Sequence, residues 1–331
     1  MQKINTSNNF DILRLILAVL VFFAHWNILT SQDISNQLFH LSGYAVHMFF
    51  IVSGFLIFWS FDANQNKKHF YIKRFFRIFP LYAFLIILQT LFFIGFSDGS
   101  TFEVIKYFIA NIFFLNFLAP SVGSTLSSLE VNAINGSLWT LKNEVVFYLI
   151  VPLLFMFYKK WGGYILLILY SLSVVYMFAV DYLGIEKLLV QFPAQVRLFM
   201  VGILLYILFD KFNKNNIYLL AIVSLILLIF LKDNTYFNYI LYPFCIGFMM
   251  IFLVYFVKNI KVNFDFSYSL YILHFPVIQL ALYFEINPTN PIISFVVLFA
   301  VILVLSYFSE KYIEKRFIKI GREIVKKDKS A

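Results

Sequence analysis

The sequence predicts an all-α protein that threads a lipid bilayer about ten times, with one short re-entrant or interfacial helix. Three observations predict it. Of 331 residues, 62% are hydrophobic and only 13% charged, whereas a soluble domain carries about 25% charge. Mean hydropathy is +0.84. Apolar runs of helical span length then recur along the chain, near 10–29, 44–61, 78–96, 104–118, 145–158, 163–180, 195–210, 216–231, 238–257, 266–284 and 292–309. No polar stretch between them is long enough for a separate domain. Residues 1–331 therefore read as one transmembrane domain, with a basic cytoplasmic tail over 310–331.

The first run, FDILRLILAVLVFFAHWN, carries Arg14 and His25. It continues to His25-Trp26 without a small-residue cleavage pattern, so it reads as a span and not a signal peptide. Ionisable groups inside a span are costly and mark function. Eleven positions make nearly three turns, so both side chains leave one face, roughly 16 Å apart along the axis. Imidazole titrates near neutrality and is the commonest general base.

The second run holds Ser53-Gly54 at mid-span. A small pair there admits close approach by another helix or by a thin ligand arm. The segment HFYIKRFFRIFPLY follows, with Arg74 and Arg77 three apart on one helix face and Pro80 after them. Simple membrane anchoring explains such cations, and so does bidentate phosphate recognition.

The run 104–118 is short and broken by Asn111 and Asn116. It is the one expected not to cross. Glu144 opens the fifth run from outside, where it would orient His25 or hold a sugar hydroxyl, and Trp139 precedes it at the interface. In FSYSLYILHFPV, Ser267, Tyr271 and His274 share one helix face, and a polar stripe in an apolar span lines a cavity. The single cysteine, Cys245, forms no internal disulfide. No metal site is implied.

Orientation follows from basic residues. Ten crossings with the N-terminus inside place 20 of the 26 Lys and Arg on the cytoplasmic side and 5 outside, Arg197 among the outer ones. Both termini are then cytoplasmic in a plasma (inner) membrane, and the net charge of +9 needs no nucleic-acid partner. The tail YIEKRFIKIGREIVKKDKS reads as an amphipathic helix on an anionic leaflet.

Taken in order, these pieces resemble the acyltransferase-3 family of integral-membrane O-acyltransferases. They are Arg14 with His25, FFIVSGFL over 49–56, RFFR with Arg74 and Arg77 before Pro80, SLWTLKNE over 137–144, and SYSLYILHFP over 267–276. The resemblance implies ten transmembrane helices and an acyl-CoA donor, in particular acetyl-CoA, entering from the cytoplasm. It implies a glycan or glycolipid acceptor at the outer side, and essential roles for Arg14, His25, Arg74 and Arg77. On this reading the three arginines hold the donor's phosphates. Its pantetheine arm passes Ser53-Gly54, and His25 acts as base or acyl carrier. Glu144 or Tyr271 orients the ring or steadies the oxyanion. A transporter or flippase for a lipid-linked sugar is the rival reading, with the cations on pyrophosphate; a non-catalytic membrane scaffold is the other.

Overall fold

A computed structural model of the chain describes residues 8–32, 36–260, 262, 264–286 and 290–330, with the backbone alone for 36–41 and 330. Among them all regular structure is helical: α1 (Phe10–Thr30), α2 (Asn36–Ala63), α3 (Lys67–Phe96), α4 (Thr101–Ile112), α5 (Leu138–Trp161), α6 (Tyr164–Tyr182), α7 (Phe192–Ile207), α8 (Lys214–Phe230), α9 (Tyr242–Ile251), α10 (Ser267–Tyr283), α11 (Pro291–Ser309) and α12 (Lys315–Ser330). π-helical turns at Phe237–Leu241 and Phe252–Phe256 extend α9 at both ends, and a third at Glu310–Glu314 joins α11 to α12. Among the described residues, seven stretches are long and apolar enough to cross a membrane: α1, Ser42–Ala63, α3, α5, α6, Phe237–Phe256 and Pro291–Lys329. The side chains they leave exposed include Leu88, Leu91, Leu172, Val175, Val296 and Val304, an apolar surface that only lipid satisfies. This is a multi-pass membrane protein. α7 and α8 are apolar but shorter, at 16 and 17 residues.

Two compact units account for the described residues. One lies within Met1–Leu17, Tyr44–Phe70 and Asn143–Asn263, the other within Ala18–Gly43, Tyr71–Lys142 and Phe264–Ala331. In the first, α6 packs on α7, α7 on α9 and α8 on α9. α2 crosses α7 at close range. A Cβ on Gly54 would stand 2.3 Å from the Phe199 carbonyl oxygen, and one on Gly202 would stand 2.1 Å from that of Ile51. Only glycine lets these backbones meet. Arg197, expected as an outer loop cation, is 3% exposed instead. Its Nη1 donates to the carbonyls of Asn238 (2.7 Å) and Tyr239 (3.1 Å), within the π-helical turn. Such a turn lacks the regular i→i−4 pattern, and the guanidinium holds the carbonyls it exposes.

In the second unit α10 packs on α11. Phe22 and Phe23 of α1 interleave with Phe295 and Phe299 of α11. The basic tail is α12, and one face of it is docked. A Cβ on Gly321 would stand 2.9 Å from Phe76 Cβ, the Phe317 ring stacks on Phe76, and Val325 is buried. The stretch expected to be re-entrant forms α4 and a 3-10 turn at Asn116–Leu118. Ser100 and Glu103 close a capping box at the start of α4. At its end Phe114 takes φ +63°, stacks on Tyr82 and lets Leu115 N–H reach the Ala110 carbonyl. A core of Phe93, Val104, Tyr107, Ala119, Val122, Leu126 and Ile134 holds the following loop in place.

Candidate active site

Fixed donors and acceptors define the chemistry around His25. In the second unit, His274 of α10 is fully buried, and its Nδ1 lies 3.0 Å from the Leu270 carbonyl oxygen. A carbonyl only accepts, so Nδ1 carries the proton, and the neutral ring presents a lone pair at Nε2. That Nε2 is 2.7 Å from Nδ1 of His25. His25 must therefore donate from Nδ1, which leaves the lone pair on its own Nε2. The two rings stack at 4.9 Å with 25° between planes, and Phe275 stands edge-on to His25 at 5.1 Å. Backbone geometry on α10 thus sets which nitrogen of His25 is basic, as carboxylate or carbonyl partners do for other functional histidines.

Tyr271 lies one turn before His274. Its hydroxyl is 2.6 Å from Thr140 Oγ1, and Thr140 donates its own proton to the Ser137 carbonyl at 3.0 Å. The Tyr271 proton then points at Thr140. Its ring meets His274 at 6.0 Å, nearly perpendicular. Asn135 adds a second tie, donating to the Ile272 carbonyl at 2.9 Å. These bonds fasten α10 to the first turn of α5 and to the residues just before it.

Arg74 and Arg77 share a face of α3. Arg77 is clamped between two carboxylates: Nη2 to Asp265 Oδ2 at 3.0 Å, and Nη1 to Glu314 Oε2 at 3.5 Å. The Glu314 side chain is 1% exposed and also accepts from Ser269. Arg77 therefore ties α3 to the segment before α10 and to the π-helical turn before α12.

In the first unit, Arg14 pairs with Asp11 at 2.6 Å. Glu144 accepts from Ser53 Oγ at 3.3 Å and from the Tyr148 hydroxyl one turn later on α5. The helix that approaches Gly54 is α7. The imidazole that His25 meets belongs to His274. The sequence puts His274 on the polar stripe of α10, while the residues it offers for orienting His25 are Glu144 and Tyr271. The YILHFP stretch carried the signal: a histidine on the stripe at i+3 from Tyr271.

An acyltransferase family model, described as an acyltransferase domain, matches residues 7–310. The chain belongs to the acyltransferase-3 family. An O-acetyl transferase of Shigella phage Sf6 is 30% identical over 341 aligned positions, 94% of this chain and 96% of the relative. Nodulation protein 10 of Rhizobium leguminosarum bv. viciae is 30% identical over 173 positions, 46% of each chain. No solved structure matches. The acyltransferase-3 assignment makes this chain an acyltransferase.

Proposed function

We propose that this acyltransferase moves an acetyl group from cytoplasmic acetyl-CoA to a hydroxyl of a cell-surface glycan or glycolipid. The observation that carries the reading is the chain Leu270 carbonyl, His274, His25. It leaves one imidazole nitrogen, His25 Nε2, able to take a proton. The near full-length likeness to a protein named O-acetyl transferase supports acetyl as the group moved. That family membership, and not any feature of the cations, sets the flippase and scaffold readings aside.

In this mechanism the acceptor oxygen attacks the thioester carbonyl as its proton passes to His25 Nε2. The C–S bond breaks, and the thiolate leaving as CoA takes the proton from the imidazolium. General base catalysis of this kind typically contributes about 10²–10⁴-fold. Tyr271 acts as a positioning residue for α10. Arg74 and Arg77, with Arg14, are the proposed phosphate ligands of the donor. The clamp on Arg77 gives it a structural role as well.

We also infer ten crossings. α7, α8 and α10 have 16, 17 and 17 residues. At about 1.5 Å per residue they reach roughly 24–26 Å, close to the hydrocarbon thickness of a thin bilayer. They add to the seven longer stretches. α4, with 12 residues, is too short to cross and exposes Phe102, Ile105 and Ile109, which suits an interfacial helix. An even count puts both termini on one side, and the distribution of Lys and Arg makes that side the cytoplasm.

The test is incubation of the detergent-purified protein with labelled acetyl-CoA and acceptor glycan. The proposal expects thioester loss and acetyl ester formation, both abolished by His25→Ala while CoA binding persists. Full turnover by a well-folded His25→Ala protein would refute it.

A further inference from the structure

The second unit contains a cavity that the mechanism above does not use. Its volume is about 130 Å³, and it opens to solvent on one side. Asn116, Phe117, Gly136, Trp139 and Lys142 are among its walls. Its polar chemistry is fixed by the surrounding fold. Asn111 Nδ2 donates to the carbonyls of Tyr107 (2.8 Å) and Ala119 (2.9 Å). Its Oδ1 must then be the acceptor that meets Asn116 at 2.7 Å, so the Asn116 atom there is Nδ2. That nitrogen's second hydrogen goes to the Tyr82 hydroxyl at 3.0 Å. Asn116 Oδ1 is thereby left buried, with no hydrogen-bond partner among the described residues. A buried acceptor without a donor is unfavourable, and a bound hydroxyl removes the penalty.

An occupant that brings a donor to Asn116 is therefore favoured. A phosphate or carboxylate brings only acceptors, and an acyl chain brings neither. The aromatic walls, Trp139 and Phe117, ask for a flat apolar face as well. Lys142 Nζ lies 4.8 Å from the centre of the Phe117 ring and adds a cation at the rim. Hydroxyl donors beside a C–H face describe a pyranose. The cavity also lies next to the histidine pair: a Cβ on Gly136 would stand 2.7 Å from the Phe275 ring, the ring that meets His25 edge-on. One aromatic side chain separates the cavity wall from the imidazole.

We propose that this cavity seats a sugar residue of the acceptor, flanking the residue that is acylated at His25. The inference rests on the acyltransferase reading for its purpose, but its binding test does not. Saturation-transfer NMR on the protein in a sugar-free detergent uses three probes: the methyl glycosides of glucose, rhamnose and N-acetylglucosamine. Wild type is expected to saturate ring protons of at least one probe. Phe117→Ala, at the exposed rim, and Asn116→Leu, in the wall, should each reduce that signal several-fold, and His25→Ala should keep it. No saturation from any probe in wild type overturns the site. So does a signal that survives both cavity variants, or one that His25→Ala abolishes. A glycoside that binds and is lost in the cavity variants, with no acetyl ester formed from acetyl-CoA on any glycan, would keep the sugar site and sink the proposed reaction.

Discussion

The Nδ1 atom of His25 lies 2.7 Å from the Nε2 atom of His274. Because His274 spends its only proton on the Leu270 carbonyl, the direction of this bond is fixed. The two histidines should therefore fail differently. His25→Ala should lower acyl transfer by about 10²–10⁴-fold, the usual worth of a general base. His274→Gln keeps an acceptor near the Nε2 position and should retain more activity than His274→Ala, which frees His25 to change tautomer. Rates and pH profiles of the three variants, each eluting as a monodisperse species, decide the point. Equal loss in His274→Gln and His274→Ala would show that packing alone matters there.

Beyond its proposed contact with the donor's phosphates, Arg77 should behave as a structural cation. Arg77→Ala strands Glu314, whose side chain is 1% exposed, and breaking a buried pair from one side costs about 3–5 kcal/mol. A lowered melting temperature in detergent is expected, with part of the loss recovered in the double variant Arg77→Ala/Glu314→Gln. Arg74→Ala should instead raise the donor KM with little change in melting. A stable Arg77→Ala protein would remove the clamp from this account.

The crossing of α2 and α7 gives a packing prediction. Gly54→Ala and Gly202→Ala each place a methyl group within 2.3 Å of a backbone oxygen. Overpacking of this sort destabilises by about 1–3 kcal/mol. Gly95→Ala meets nothing within 4 Å and serves as the matched control. Thermal melts of the three proteins make the comparison, and a control as unstable as the other two would defeat it.

Asp98 supplies the pH prediction. Its carboxylate accepts from the hydroxyl and the amide of Ser124 and from Thr125, and these bonds, the Ser124 hydroxyl foremost, hold it below its ordinary value of 3.8. A group depressed on folding stabilises the fold above its unfolded value and loses that contribution as pH falls through the folded one. The 119–136 loop should thus stay protected at neutral pH and open only under acid below about pH 3.8. Hydrogen exchange of the loop amides reads this, and Ser124→Ala should move the opening to higher pH.

What could be read from the sequence was what local composition carries. Apolar runs placed the long helices, because a bilayer demands them within one contiguous segment. Arg14, His25, Arg74 and Arg77 stood out because charge is rare in such runs. The partner of His25 was not legible. It lies 249 positions away, and a histidine on an apolar stripe announces neither its neighbour nor its tautomer. Gly54 showed that something comes close, but not that α7 does. Arg197 looked like a loop cation because its π-helical partners leave no mark in composition. The cavity beside Trp139 draws on segments between α4 and α5 whose folding depends on the Asn111 and Asn116 amides, and no periodicity reports those bonds.

Since the two imidazoles come from the first and tenth helices, the ribosome releases the halves of the pair far apart in time. A nascent chain that still lacks residues 267–283 holds His25 without the partner that sets its tautomer. The pair is complete only once residues 267–283 have been inserted.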